Sequence, residues 1–174
     1  MDTTAVTPAF LFLLLALAAW QDVRSYRIAN LLTFGGAALG IVLSLLLPAG
    51  QGLVASLSGW ALGLAILLPF YALGVMGAGD VKLLAMAGAF TGPAGAFGIG
   101  LYSMVAGGVL ALVVALAGGR LREALRNVQV IAVTGLPAPA PDGQGAVAVT
   151  SGRLPYGVAI LFGGIAWWLL RAGA

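Results

Sequence analysis

Long continuous runs of apolar positions, separated by short polar or glycine-rich stretches, divide the chain into six segments that predict membrane-crossing helices. The runs do not alternate apolar with polar, so backbone groups placed in lipid would be satisfied inside helices and not in a barrel. The first segment runs from about Val6 to Asp22, the second from about Leu31 to Leu47 and the third from about Leu53 to Leu73. A fourth, shorter one begins near Asp80 and stops at Thr91-Gly92-Pro93, and a fifth runs from about Phe97 to Ala117. The last runs from about Pro155 to Leu170, with Pro155 suited to a first helical turn. The expected fold is all-α: a polytopic membrane protein of about six transmembrane helices, one domain over residues 1–174, with a cytoplasmic loop at about 118–153. Asp2 stands where a signal peptide would carry basic residues, so the first segment is read as a retained helix.

Composition strengthens this reading. Of 174 residues 61% are hydrophobic and 7% charged, with a mean hydropathy of +1.10, whereas a soluble domain carries about a quarter charged residues. The chain has no cysteine and no histidine. Disulfides, thiolate chemistry, a serine–histidine triad and ordinary zinc hydrolysis are thereby disfavoured, and the ionisable chemistry falls to five acids, eight basic residues and the tyrosines.

Charge placement sets the expected orientation. With six crossings and the N-terminus outside, Arg24, Arg27, Lys82, Arg120, Arg122, Arg126 and Arg153 all fall on the cytoplasmic side and Arg171 alone on the other, as the positive-inside bias requires. The weakest segment is the fourth. Asp80 to Phe90 would span only about 16 Å as a helix, against an apolar core of about 30 Å. Without it, however, Arg120 to Arg126 would lie outside, so the crossing is kept, with a helix that starts below the interface or continues past Gly92-Pro93.

The stretch from Arg120 to Arg153 is the one sizeable polar part. Its start, RLREALRNV, places Leu121, Ala124, Leu125 and Val128 on one helical face among arginines; it fits a helix lying on an anionic leaflet and, equally, a helix end with a basic flank. GLPAPAPDGQG then reads as linker. The spacings Gly36 to Gly40 and Gly59 to Gly63 permit close helix packing, but among 27 glycines they say little on their own. No internal repeat supports a transporter architecture.

Two acids carry the candidate chemistry. Asp22 ends the first segment and Asp80 follows the third, in Gly77-Ala78-Gly79-Asp80. Two crossings separate them, so both carboxylates belong at the same face. Taken singly, each has an ordinary explanation: a salt bridge from Asp22 to Arg24 or Arg27, and a helix cap for Asp80. Taken together they form a pair. Carboxylates within about 3 Å share one proton, and such a pair can activate water with one member and polarise a peptide carbonyl with the other. Gly77 and Gly79 would let the backbone turn sharply and a substrate chain approach Asp80.

The stretch from Asp22 to Asn30 (DVRSYRIAN), Gly-Ala-Gly-Asp-Val-Lys from Gly77 to Lys82, and Leu-Pro-Tyr-Gly-Val-Ala-Ile from Leu154 to Ile160 resemble the aspartic prepilin peptidases of type IV pilus systems. They are most similar to the short members that serve Tad/Flp pili. Ala29 stands where that family usually has proline. The resemblance implies a catalytic pair Asp22 and Asp80, with Gly77, Gly79 and Lys82 as substrate-binding or motif support. Lys82 would stabilise charge or orient substrate, the competing reading being a topology determinant beside a cytoplasmic helix end. It implies removal of the leader from prepilin or pseudopilin precursors at the cytoplasmic face of the bacterial inner membrane. The partners so implied are the precursor and the lipid bilayer; no nucleic acid, cofactor or metal is called for. Longer relatives carry a cysteine-rich segment associated with N-methylation, which this chain lacks, so peptidase activity without methyltransferase activity is expected. A noncatalytic pilus-assembly scaffold and a small proton-coupled transporter are the competing functions.

Overall fold

The computed structural model describes residues 3–47, 50–74, 76–119, 121–134 and 154–172. All regular structure among them is helical: α1 (Thr3–Ser25), α2 (Asn30–Leu46), α3 (Leu53–Ala72), α4 (Ala78–Ala117), α5 (Leu121–Thr134) and α6 (Tyr156–Ala172). The predicted linker after α5, together with Arg120 and Arg153, lies outside the described residues.

The expected fourth and fifth segments both fall in the 40 residues of α4, which a break at Gly92 divides into two helices. Run straight, it would be about 60 Å long, twice the thickness of an apolar bilayer core. It does not run straight. Gly92 has φ 70° and ψ −172°, outside helical values, and Pro93 follows it. A residue before proline avoids the helical region, and proline is itself suited to the first position of a new helix. The chain therefore reverses here. A Cβ on Gly100 would lie 3.3 Å from Leu84 Cδ2, and one on Gly88 would lie 3.0 Å from Ala96 Cβ. In an unbroken helix Leu84 and Gly100 would be about 24 Å apart. The first arm (78–91) and the second arm (93–117) are thus antiparallel, and the second arm starts four residues before the expected Phe97.

Proline also removes a donor at the reversal. Pro93 cannot supply the N–H that the Ala89 carbonyl would accept in a continuing helix. Hydroxyls fill the gap: Ser56 Oγ donates to Ala89 O at 2.6 Å and Ser44 Oγ at 3.5 Å. These serines come from the start of α3 and the end of α2, so the reversal is seated at the end of the bundle where α2 passes to α3.

The first arm is the core of the molecule. From Leu83 to Phe90 every residue is buried, and an element apolar on all sides must be enclosed on all sides. The enclosure relies on small residues. A Cβ on Gly63 would stand 2.7 Å from Ala85 Cα, and one on Gly59 would strike the carbonyl of Gly88 and stand 2.6 Å from Gly92 Cα. On α2, Gly36 faces Met86 and Gly40 faces Phe90. Both glycine spacings noted in the sequence therefore seat the first arm, which their number in the chain had concealed.

The outside of the bundle is apolar. Leu31 is 85% exposed, Val54 82% and Trp20 65%, more than a surface facing water would present together. Val6–Ser25, Leu53–Ala72 and Ala78–Ala117 are long and apolar enough to cross a membrane, and Asn30–Leu46 and Tyr156–Arg171 are shorter apolar helices. The chain is a membrane protein. α5 is different in kind, with Arg122, Leu125 and Arg126 exposed on a helix that, among the described elements, packs against α4 alone.

The glycine seats predict a stability difference within one protein. Gly59→Ala should lower stability by about 1–3 kcal/mol, the usual cost of forcing atoms into a filled interior. Gly35→Ala, whose Cβ meets nothing within 4 Å, should leave stability unchanged or raise it by up to about 1 kcal/mol. Thermal unfolding of both variants in detergent micelles checks this; equal midpoints would deny the close approach of α3 and α4.

Candidate active site

The end of the bundle opposite the reversal collects the C-terminus of α1 and the N-termini of α2, the first arm of α4, and α6. Asp22 arrives here three residues before the end of α1. Tyr26, with φ 51°, closes that helix, its N–H donating to Asp22 O at 2.8 Å. The turn that follows is pinned by Gln21, whose Oε1 accepts the Ala29 N–H at 3.1 Å. Ala29 has φ −64°, a value proline would impose, so alanine keeps the backbone a proline would hold here and adds a donor that Gln21 uses.

Asp22 is 6% exposed. A carboxylate near the C-terminus of its own helix faces the unfavourable end of the helix dipole. The structure resolves this through α6: Gly157 N–H, in the first turn of that helix, donates to Asp22 Oδ2 at 2.7 Å. Anions are at home on the free N–H groups of a helix N-terminus. Arg24 and Arg27 are exposed, so the hydrogen bond that places Asp22 is this buried one across 135 residues of chain and not a local salt bridge.

Asp80 is 9% exposed and lies in the first turn of α4. Gly77 precedes the helix with extended φ −78° and ψ 148°. Its N–H donates to Asp80 Oδ2 at 3.2 Å, and its carbonyl accepts the Asp80 N–H at 3.2 Å. The capping explanation for Asp80 is thus partly realised, as a side chain that reaches back over its own helix start. It does not exhaust the residue: Asp22 and Asp80 lie close enough for the charge on one to act on the other. In both, the hydrogen bond to backbone falls on Oδ2, and Oδ1 takes none among the described residues.

Glycines crowd this pair. A Cβ on Gly157 would stand 3.1 Å from Asp22 Oδ2, one on Gly77 would stand 3.3 Å from Asp80 Oδ2, and one on Gly79 would stand 3.3 Å from Ile28 Cβ. Gly79 therefore lets the turn before α4 rest on the turn after α1, which brings the two aspartates together. Lys82 goes elsewhere. Its Nζ donates to Asn30 Oδ1 at 2.9 Å and lies 5.2 Å from the centre of the Phe34 ring, tying the start of α4 to the start of α2. No group of three or more potential metal-ligating acids occurs among the described residues.

Two neighbours received no role from the sequence. Gly157 holds Asp22, and the Tyr156 ring packs against Gly107 of the second arm while standing within electrostatic reach of Asp80. A proline followed by an aromatic residue and a glycine at a helix start was the available signal, but only the folded chain shows what it faces.

The fold and site define a helical membrane protein with a buried carboxylate pair at one end of its bundle. Residues 9–112, more than half of the chain, match the type IV leader peptidase family, and the chain belongs to that family. Membership makes it a leader peptidase of the kind that acts on prepilins. No curated protein and no solved structure matches. The matched stretch contains Asp22 and Asp80 and ends in the second arm of α4, before α6.

The bond across the site predicts how Asp22 variants fold. Asp22→Asn retains an amide oxygen that can accept from Gly157 N–H and should unfold within about 1 kcal/mol of wild type. Asp22→Ala leaves that buried N–H unpaired and should cost about 1–3 kcal/mol. Equal denaturation midpoints for the two variants would show that the bond does not hold α6 in place.

Proposed function

We propose that the chain is an aspartic endopeptidase in which Asp22 and Asp80 remove the leader from prepilin or pseudopilin precursors at the cytoplasmic face of the bacterial inner membrane. One observation carries this reading: two aspartates far apart in sequence are both buried at a single end of an apolar bundle, where the turn at Gly79 meets the turn at Ile28. The six apolar helical segments, with α4 counted as two arms, support a single multi-pass domain with its N-terminus outside. That orientation puts the aspartates on the cytoplasmic side with the basic residues.

The chemistry follows from the free oxygens. A water between the two Oδ1 atoms loses a proton to the ionised carboxylate as its oxygen attacks the scissile carbonyl carbon. The protonated partner donates to the carbonyl oxygen, and collapse of the tetrahedral intermediate expels the amine, which takes up a proton. The backbone N–H groups of Gly77 and Gly157 hold the carboxylates in place while this happens. Gly77, exposed and without a side chain, leaves room for an extended substrate strand beside Asp80. Carboxylates at helix ends favour cleavage at the interface over a transporter's site near the midplane. With no cysteine in the chain, the cysteine-rich segment associated with N-methylation is missing, which supports peptidase activity alone; the resemblance to the short Tad/Flp members points the same way.

Wild type co-reconstituted with a prepilin should release a leader-sized fragment, seen as a mobility shift. Asp22→Asn and Asp80→Asn should each lower the cleavage rate on the order of 10³-fold or more. The double variant should be no worse than either single, because groups that act as one unit do not add. Substantial cleavage by Asp22→Asn would reduce Asp22 to a partner of α6 and end the aspartic reading.

A further inference from the structure

Tyr156 is 8% exposed, and its hydroxyl is the one buried side-chain oxygen or nitrogen without a hydrogen-bond partner among the described residues. Leaving a buried polar group unpaired is costly, and folded proteins rarely do so without a reason. Phenylalanine would pack the same ring without that cost. The ring is held firmly: a Cβ on Gly107 would strike Tyr156 Cε2 and stand 3.2 Å from Cζ. The hydroxyl is therefore carried at a fixed position on the first residue of α6, next in sequence to the Gly157 that holds Asp22, and within electrostatic reach of Asp80.

The chemistry proposed for this site would use a second donor beside the protonated carboxyl. The nearby backbone N–H groups of Gly77 and Gly157 are already committed to the carboxylates, and Lys82 is engaged by Asn30 and Phe34. When water attacks the scissile carbonyl, the carbon–oxygen π pair moves onto oxygen, which then has more lone pairs than one protonated carboxyl can satisfy. A neutral phenol donates one O–H and keeps its proton at ordinary pH. We propose that the Tyr156 hydroxyl is a further catalytic group, donating a hydrogen bond to the scissile carbonyl oxygen as it becomes negative. The hydroxyl transfers no proton and stays unpaired until substrate arrives. This inference rests on the aspartic peptidase reading.

Tyr156→Phe separates this role from a structural one. Loss of one oxyanion donor should reduce kcat about 10²-fold with KM changed less than about twofold. The thermal unfolding midpoint in micelles should equal or exceed that of wild type, because an unpaired polar group has been removed from the interior. Wild type, Tyr156→Phe and Asp80→Asn are assayed side by side on one reconstituted prepilin. Undiminished kcat, a rise in KM alone, or a lowered unfolding midpoint in Tyr156→Phe would overturn the inference while leaving a cleaving wild type as a peptidase. A wild type that leaves the precursor intact, or an Asp80→Asn variant that cleaves it normally, would overturn the underlying reading and this inference with it.

Discussion

Close approach of the first arm of α4 to α2 and α3 is the contact on which the rest of the structure depends. That arm is too short to span a bilayer core as an isolated helix and too apolar to lie on its surface, so it is stable only when enclosed by protein. Gly59 and Gly63 let its backbone meet that of α3, while Gly36 and Gly40 receive Met86 and Phe90. In an apolar solvent, where burying hydrophobic side chains gains little, such backbone proximity and its dispersion contacts hold helices together. The reversal at Gly92 then returns the chain along the same axis, and the second arm with α6 closes the remaining side.

Enclosing a short helix also fixes where it begins. The first arm starts at the end of the bundle where α1 stops, so Asp80 emerges beside Asp22, and Gly79 lets the two turns touch through Ile28. Buried carboxylates need compensation. Here it comes from backbone N–H groups at the starts of two helices, Gly157 for Asp22 and Gly77 for Asp80, and not from arginines. Rigid donors of this type leave one oxygen of each carboxylate for a water or substrate, which a bidentate salt bridge would have consumed.

Much of this was legible in the sequence because lipid imposes simple rules. Apolar runs marked the helices, and an even number of runs between Asp22 and Asp80 put them at one end, as the structure does. Contacts between elements were not legible. Thr91-Gly92-Pro93 read as a stop and proved to be a reversal with helix on both sides, since helical hydrogen bonding resumes at once beyond a single glycine with positive φ. The glycine pairs were lost among similar spacings until their partners on α4 were known. Lys82 followed Asp80 closely enough to be placed in the site, yet the helical path directs its ammonium to Asn30 and Phe34. Tyr156 and Gly157 lie in the Leu154–Ile160 stretch that carries part of the resemblance, yet no local pattern gave either a role, because the aspartates they meet are distant in the chain.

The site exists because the turn before Asp80 rests on the turn after Asp22. Paired substitution Ile28→Cys with Gly79→Cys tests it in a chain with no native cysteine. A Cβ at position 79 would lie 3.3 Å from that of Ile28, close to the spacing of about 3.5–4.5 Å that a disulfide requires. Mild oxidation in native membranes should join the two positions nearly completely within single chains, seen as altered mobility on a non-reducing gel and loss of maleimide labelling. Two thiols that remain free and accessible to maleimide after oxidation would contradict the account, because the aspartates would then lack the contact that brings them together.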